Sequence, residues 1–270
     1  MKDIVALVTG GSRGVGKGIA HELGLAGATV FVTGRSRRNS GTTDNLPGTI
    51  NETAEIIEQA GGKGIAVYCD HTNDQDIAQL AEKIQKETGR LDILVNNVWG
   101  GYEEYDGSLF ELPIWDQSIT RWDKMMNSGV RAHYTTVKFL SPLLIRSKKP
   151  LNVHISFGDE NKFLGDVQYD VAKYTTTRLA FAVSEKLKEY SVTSVAIYPG
   201  FTATERVTSG ISEDQLKLTH SPRFVGRGIV NLYKDPNMFT KNGSALKVGD
   251  LGKEYGFRDI DGRQIEPFNI

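Results

Sequence analysis

Short apolar runs rich in β-branched residues recur along the chain and alternate with longer stretches whose apolar residues return every three or four positions. The runs ALV, VFV, DILV and VAI are near-continuous rather than alternating, as strands buried on both faces of a parallel sheet must be. The pattern predicts strands over residues 4–9, 29–33, 64–70, 91–96, 152–156, 193–198 and 245–248. Helical periodicity covers 14–26, 50–60, 74–88, 116–146, 169–190 and 224–233. Strands that alternate with helices in this way predict an α/β fold, a doubly wound parallel sheet of about seven strands with helices on both faces.

Two segments break the alternation. Residues 36–48 are rich in Gly, Asn, Thr and Ser, and residues 201–221 follow the sixth strand. Ligands of open α/β sheets bind beyond the carboxyl ends of the strands, so both segments lie at the functional edge. The first is a candidate cofactor loop and the second a candidate substrate lid.

At 270 residues and 39% hydrophobic, the chain can bury one large core, and a single domain is expected. Its 32 basic and 33 acidic residues leave a net charge of -1, which provides no field for nucleic acid or an anionic membrane surface. The expected partner is a small molecule. A lone cysteine, Cys69, excludes an intramolecular disulfide and reads as a small buried hydrophobe. The chain shows no signal-peptide pattern and no run approaching about eighteen apolar residues, so the cytoplasm is the expected compartment.

The first strand runs into Thr9-Gly10-Gly11-Ser12-Arg13-Gly14-Val15-Gly16 and then a helix. Glycines let the backbone approach a pyrophosphate, and the helix start offers unpaired N–H groups and partial positive charge. The strand–turn–helix context is what a Rossmann-type dinucleotide site requires. After the second strand, an acid would bind the ribose hydroxyls of NAD, whereas an arginine would accommodate the 2′-phosphate of NADP. Here Gly34 holds the acid position and Arg35 follows. Arg35 and Arg13 are expected to converge on that phosphate, which favours NADP(H). Arg37 and Arg38 read as solvated loop charges.

Tyr169 and Lys173 are four residues apart and share one helix face. An ammonium beside a tyrosine stabilises the phenolate and makes the hydroxyl a better proton shuttle at neutral pH.

The Thr-Gly-x3-Gly-x-Gly spacing resembles the short-chain dehydrogenase/reductase family. So do Asp70 after the third strand, Asn96-Asn97 after the fourth, Ser156 after the fifth, Tyr169-x3-Lys173, and Pro199-Gly200 with Thr204 after the sixth. The likeness covers roughly residues 4–205. It implies cofactor contacts from Gly10, Ser12, Gly14, Val15 and Gly16, with Asp70 and His71 at the adenine and Asn97 near the ribose. Pro199, Gly200, Thr202 and Thr204 would meet the nicotinamide side. It also implies that Ser156 bonds the substrate oxygen, that Tyr169 transfers the proton, and that Lys173 holds the nicotinamide ribose. Dimers or tetramers through the helices at 116–146 and 169–190 follow from the same likeness.

One position departs from the family. Its usual asparagine, whose carbonyl holds a water linked to the lysine, aligns with Gly129. A glycine keeps the carbonyl and can permit the same helix distortion, and asparagine restored there is expected to be tolerated unless it clashes. Asn127 points elsewhere on the helix. The stretch 127–134 and the tail 255–263 resemble the dehydrogenase/reductase member 1 type, which is associated with NADPH-dependent carbonyl reduction.

His21, His133, His154 and His220 have no partner at a metal-ligand spacing, so packing or surface roles and no metal are expected. Trp99, Tyr102 and Tyr105 read equally as a substrate wall or as loop packing. Two functions stay open: an NADP(H)-dependent oxidoreductase interconverting a carbonyl and an alcohol, and a non-catalytic dinucleotide-binding or regulatory protein.

Overall fold

A computed structural model describes residues 1–103, 112–159 and 162–270. Its strands are β1 Val5–Val8, β2 Thr29–Gly34, β3 Lys63–Tyr68, β4 Ile93–Asn96, β5 Leu151–Ile155, β6 Thr193–Tyr198 and β7 Ala245–Lys247. They form one seven-stranded sheet in the order β3-β2-β1-β4-β5-β6-β7, with every pairing parallel. The chain winds outward from β1 to β3, then crosses back to lay β4 against the other side of β1. That reversal opens a crevice at the carboxyl ends of β1 and β4.

The described helices are α1 Gly14–Leu25, α2 Ile50–Gln59, α3 Asp74–Thr88, α4 Ile119–Met125, α5 Ala132–Leu144, α6 Val167–Lys186, α7 Glu205–Thr208, α8 Glu213–Lys217, α9 Pro222–Lys234 and α10 Val248–Tyr255. Alternate strand residues feed two cores. Ala6 and Val8 pack with Ile19 and Leu23 of α1 and with Phe224 and Ile229 of α9. Val5 and Leu7 face Ile77 and Leu80 of α3 and Leu140 and Leu144 of α5. Local chemistry fixes the ends. A capping box between Thr49 and Glu52 starts α2, and Gly89, at φ 71°, stops α3.

The continuous helix expected over 116–146 is interrupted. α4 passes into a π-helical turn, Met126–Arg131, before α5 begins. β3 also stops short of the expected residue 70, because the Asp70 N–H leaves the ladder and donates to Asp76 Oδ2 at 2.9 Å. The expected 169–190 helix starts two residues earlier, where Asp166 caps it, and ends at Lys186. α7, α8 and α10 have no counterpart in the sequence expectation, since they are only four, five and eight residues long.

Candidate active site

A cleft of about 400 Å³ opens at the carboxyl ends of the strands. Gly10, Ser12, Arg13, Gly14, Val15, Arg35, Asp70, His71, Asn97, Ser156, Tyr169, Lys173, Pro199, Gly200, Thr202 and Thr204 all line it. Gly16 stands back. A Cβ there would lie 2.4 Å from Gly10 O and 2.5 Å from Asn97 Nδ2, so this glycine lets the loop close on its brace. Asn97 Nδ2 donates to Thr9 O at 3.0 Å and to Gly10 O at 3.1 Å. Gly10 and Gly14 sit at φ 63° and 54°, which glycine adopts without strain. A cradle of bare backbone ending at the N-terminus of α1 fits a dinucleotide diphosphate.

The expected pairing of Arg13 with Arg35 is only half realised. Arg13 donates to Pro47 O, Thr43 O, Leu46 O and the Ser36 hydroxyl at 3.0–3.1 Å, so its guanidinium laces down the loop after β2. Arg35 stays half-exposed at the cleft, with the Glu103 carboxylate at 3.8 Å.

Tyr169 and Lys173 project from α6 into the cleft, with Lys173 Nζ 5.5 Å from the Tyr169 ring centroid. The first turn of α6 is pinned from below. The Tyr169 N–H donates to Asp166 Oδ1 at 2.7 Å, and Arg121 Nη1 donates to both Asp166 oxygens at 3.0 Å and to Gln168 Oε1 at 3.1 Å. Arg121 and Asp166 are both buried. Sequence reasoning missed this pair, although an aspartate three residues before Tyr169 is an N-cap signal.

Ser156 lines the cleft but turns its hydroxyl into α6. It donates to Lys173 O at 2.7 Å and accepts from Thr177 Oγ1 at 3.1 Å. The Tyr169 ring is boxed by Trp99, Tyr102 and Phe157, at centroid distances of 5.7, 6.4 and 6.5 Å. Tyr105 lies outside the described residues. Burial raises the Tyr169 hydroxyl above the ordinary tyrosine range, and a hydrogen bond from Tyr102 opposes it. Burial also takes Lys173 down to about 7. The expected depression of Tyr169 by Lys173 is therefore not found: burial is the largest influence on the hydroxyl and raises it. Tyr169 keeps its proton at neutral pH.

Gly129 lies in the π turn, and its carbonyl accepts from Thr176 Oγ1 at 3.1 Å. A Cβ there would fall 2.4 and 2.5 Å from Trp99 Cζ3 and Cε3. Asparagine would collide with the indole, which answers the expectation that it could be restored.

The histidines form buried packing contacts. His71 bridges the Thr33 and Thr136 hydroxyls at 2.8 Å on each side, and burial lowers it to about 4. His133 and His154 bring their Nδ1 atoms to 3.3 Å, a pairing that their distance in sequence concealed. His220 Nε2 meets Pro199 O at 2.7 Å and braces the turn before Gly200, while His21 is half-buried on α1. Among the described residues no group of three or more His, Cys, Asp or Glu could hold a metal ion. Cys69 is buried, and its thiol is pushed up to about 12. No described helix is long and apolar enough to cross a membrane.

Comparison with known proteins agrees with this geometry. The short chain dehydrogenase family model matches residues 4–215. Dehydrogenase/reductase SDR family member 1 from Mus musculus is 33% identical, over 99% of this chain and 87% of that protein. A crystal structure of a short chain dehydrogenase from Mycobacterium thermoresistibile superposes at a TM-score of 0.83 with 25% identity, covering 98% of this chain and 94% of that one. A metagenomic short-chain oxidoreductase solved in complex with NADP superposes at 0.70, with 23% identity over 91% of this chain and 97% of that one, and shares the fold. The cradle, the Tyr169–Lys173 pair and these likenesses converge: the chain belongs to the short-chain dehydrogenase/reductase family.

Proposed function

We propose that this protein is an NADP(H)-dependent oxidoreductase that reduces a ketone or aldehyde, with Tyr169 as the proton donor. The observation that carries this reading is the Tyr169–Lys173 pair at the floor of a cleft whose other end is a bare-backbone diphosphate cradle. Gly10, Ser12, Gly14 and Val15 hold the diphosphate, Asp70 and His71 the adenine side, and Asn97 and Lys173 the nicotinamide ribose. Arg35 takes the 2′-phosphate, and Arg13 acts by fixing the loop beside it. Pro199, Gly200, Thr202 and Thr204 flank the nicotinamide. Bound there, the nicotinamide supplies the hydride.

The chain's own work is proton transfer. Burial keeps the proton on Tyr169, the form that reduction consumes, and places the hydroxyl where a carbonyl oxygen entering the cleft can take it. A turn of the Ser156 hydroxyl away from Lys173 O would let it donate to the same oxygen. Residues 201–221 serve as the lid: Arg206 already reaches from α7 to Asp44 and to Tyr102 O. Exposed Tyr134 on α5 and exposed Val171 and Phe181 on α6 are the apolar surface on which we place a homodimer contact.

The test is a panel of aldehydes and ketones with purified protein, followed by NADPH absorbance. Tyr169→Phe should lower turnover by about 10²–10⁴-fold while leaving NADPH affinity near that of the unaltered protein. Undiminished turnover in that variant overturns the assignment, and a protein that binds NADPH but turns over nothing in the panel supports the non-catalytic reading.

A further inference from the structure

Trp99, in the loop after β4, packs against both Tyr169 and Lys173. Its indole face lies over the Lys173 ammonium, with Nζ 3.5 Å from the ring centroid. Its edge meets the Tyr169 ring in a T-shaped contact at 82°. The ring occupies the space in which a side chain at position 129 would begin. The indole N–H is buried and, among the described residues, has no hydrogen-bond partner of normal geometry, although it points towards the Tyr102 oxygen. A buried donor left in that state costs stability, which argues that the ring is placed for its face rather than for its N–H.

The ammonium it covers has little else to hold it. Among the described residues no carboxylate pairs with Lys173. Tyr169 on its own helix lies 5.5 Å away, Tyr102 and Ser156 line the same cleft, and His133 on α5 is close enough to feel its charge and is kept neutral by burial. The negative face of an aromatic ring attracts a cation most strongly where water is excluded.

We propose that Trp99 is a positioning residue for proton transfer: its indole face keeps Lys173 charged and aimed at Tyr169, and Gly129 is the residue that makes room for it. The proposal rests on the reading of Tyr169 and Lys173 as the proton-transfer pair. Burial alone favours the neutral amine, and the indole offsets it. Trp99 is thereby removed from the substrate wall, and Tyr102 and Phe157 are left to form it beside Tyr169.

The first test needs neither cofactor nor substrate. Trp115→Phe with Trp122→Phe leaves Trp99 as the single tryptophan, so its emission reports the charge above it. The emission should change sigmoidally with pH, with a midpoint between about 7 and 9, and adding Lys173→Met should abolish the change. A flat trace, or a transition that survives Lys173→Met, overturns the proposal. The second test compares Trp99→Leu with Trp99→Phe, using NADPH and phenanthrenequinone as the probe carbonyl. Trp99→Leu should move the alkaline limb of the kcat profile down by about one pH unit, while Trp99→Phe, which keeps a ring face, retains most of it. A loss of rate with an unmoved limb means a packing role only and sinks the proposal. Tyr169→Phe assayed alongside separates the two ideas: full turnover there removes the assignment of the proton donor, whereas the emission titration judges Trp99 and Lys173 directly.

Discussion

The Glu205 carboxylate caps the N-terminus of α1, with its Oε2 accepting from the Gly14 N–H at 2.7 Å. That N–H lies at the positive end of a twelve-residue helix, where the cradle would receive a diphosphate. A carboxylate from the segment proposed as the lid thus occupies the end of the proposed diphosphate seat. Glu205→Gln keeps a carbonyl acceptor for Gly14 but removes the charge that a diphosphate would meet. NADPH binding should tighten about three- to tenfold, by calorimetric titration at low salt, with a smaller gain at high salt. Weaker binding in the variant would mean that Glu205 anchors the lid over a bound dinucleotide rather than competing with it.

In the proposed NADPH complex, Arg35 would govern the second anion seat, that of the 2′-phosphate. Its salt-bridge partner Glu103 is distant at 3.8 Å, while the guanidinium of Arg13 is committed to the 43–48 loop. On the proposed reading, the choice of cofactor would rest on one residue rather than on a clamp of two. Arg35→Asp should weaken NADPH by about 2 kcal/mol, roughly 30-fold, since it removes a charge-assisted partner and adds repulsion. NADH affinity should hold or improve. Equal losses for both dinucleotides would place Arg35 outside the 2′-phosphate site.

Gly129 is fixed by its neighbour rather than by its backbone. A methyl at 129 would enter the Trp99 ring, so Gly129→Ala should cost about 1–3 kcal/mol by chemical denaturation. Gly129→Asn should cost at least as much, and adding Trp99→Ala to it should recover part of that loss, because truncating the indole empties the space that asparagine needs. Additive losses in the double variant would show that the two side chains do not share one volume.

The strands themselves, their burial in a parallel sheet, the cradle and the Tyr169–Lys173 pair were legible in the sequence because each depends on local spacing, whereas the order of the strands across the sheet was not. The runs at Val5–Val8 and Ile93–Asn96 announce buried parallel strands, and a separation of four on a helix fixes one face. The parts that could not be read are contacts between distant segments. Arg13 looks like a phosphate ligand until the carbonyls at 43–48 are seen to use its donors. The glycine at 129 hinted at a distorted helix within 116–146, but that Trp99 from a different loop packs against Gly129 could not be read. Ser156 carries the expected spacing, but its hydroxyl direction depends on Lys173 O across the cleft.

The buried histidines should make the fold sensitive to mild acid. His71 sits between two threonine hydroxyls and is lowered to about 4, and His154, packed against His133, is lowered to about 3, both by burial. In the unfolded chain these side chains take up protons near pH 6.5, so below that value the unfolded state binds protons that the folded state refuses. Their contribution to stability is complete above about pH 6.5 and is lost as pH falls toward the lowered values, at up to about 1.4 kcal/mol per pH unit for each histidine. Most carboxylates remain ionised between about pH 5 and 6.5, which makes that window diagnostic of the histidines. Urea midpoints measured across the window should therefore drop steadily. His71→Gln, which can still bridge Thr33 and Thr136 but does not titrate, should start from lower stability and show a shallower slope. An unchanged slope would mean that His71 takes up its proton in the folded protein as readily as in the unfolded chain, so that burial between the two threonines does not hold the ring neutral.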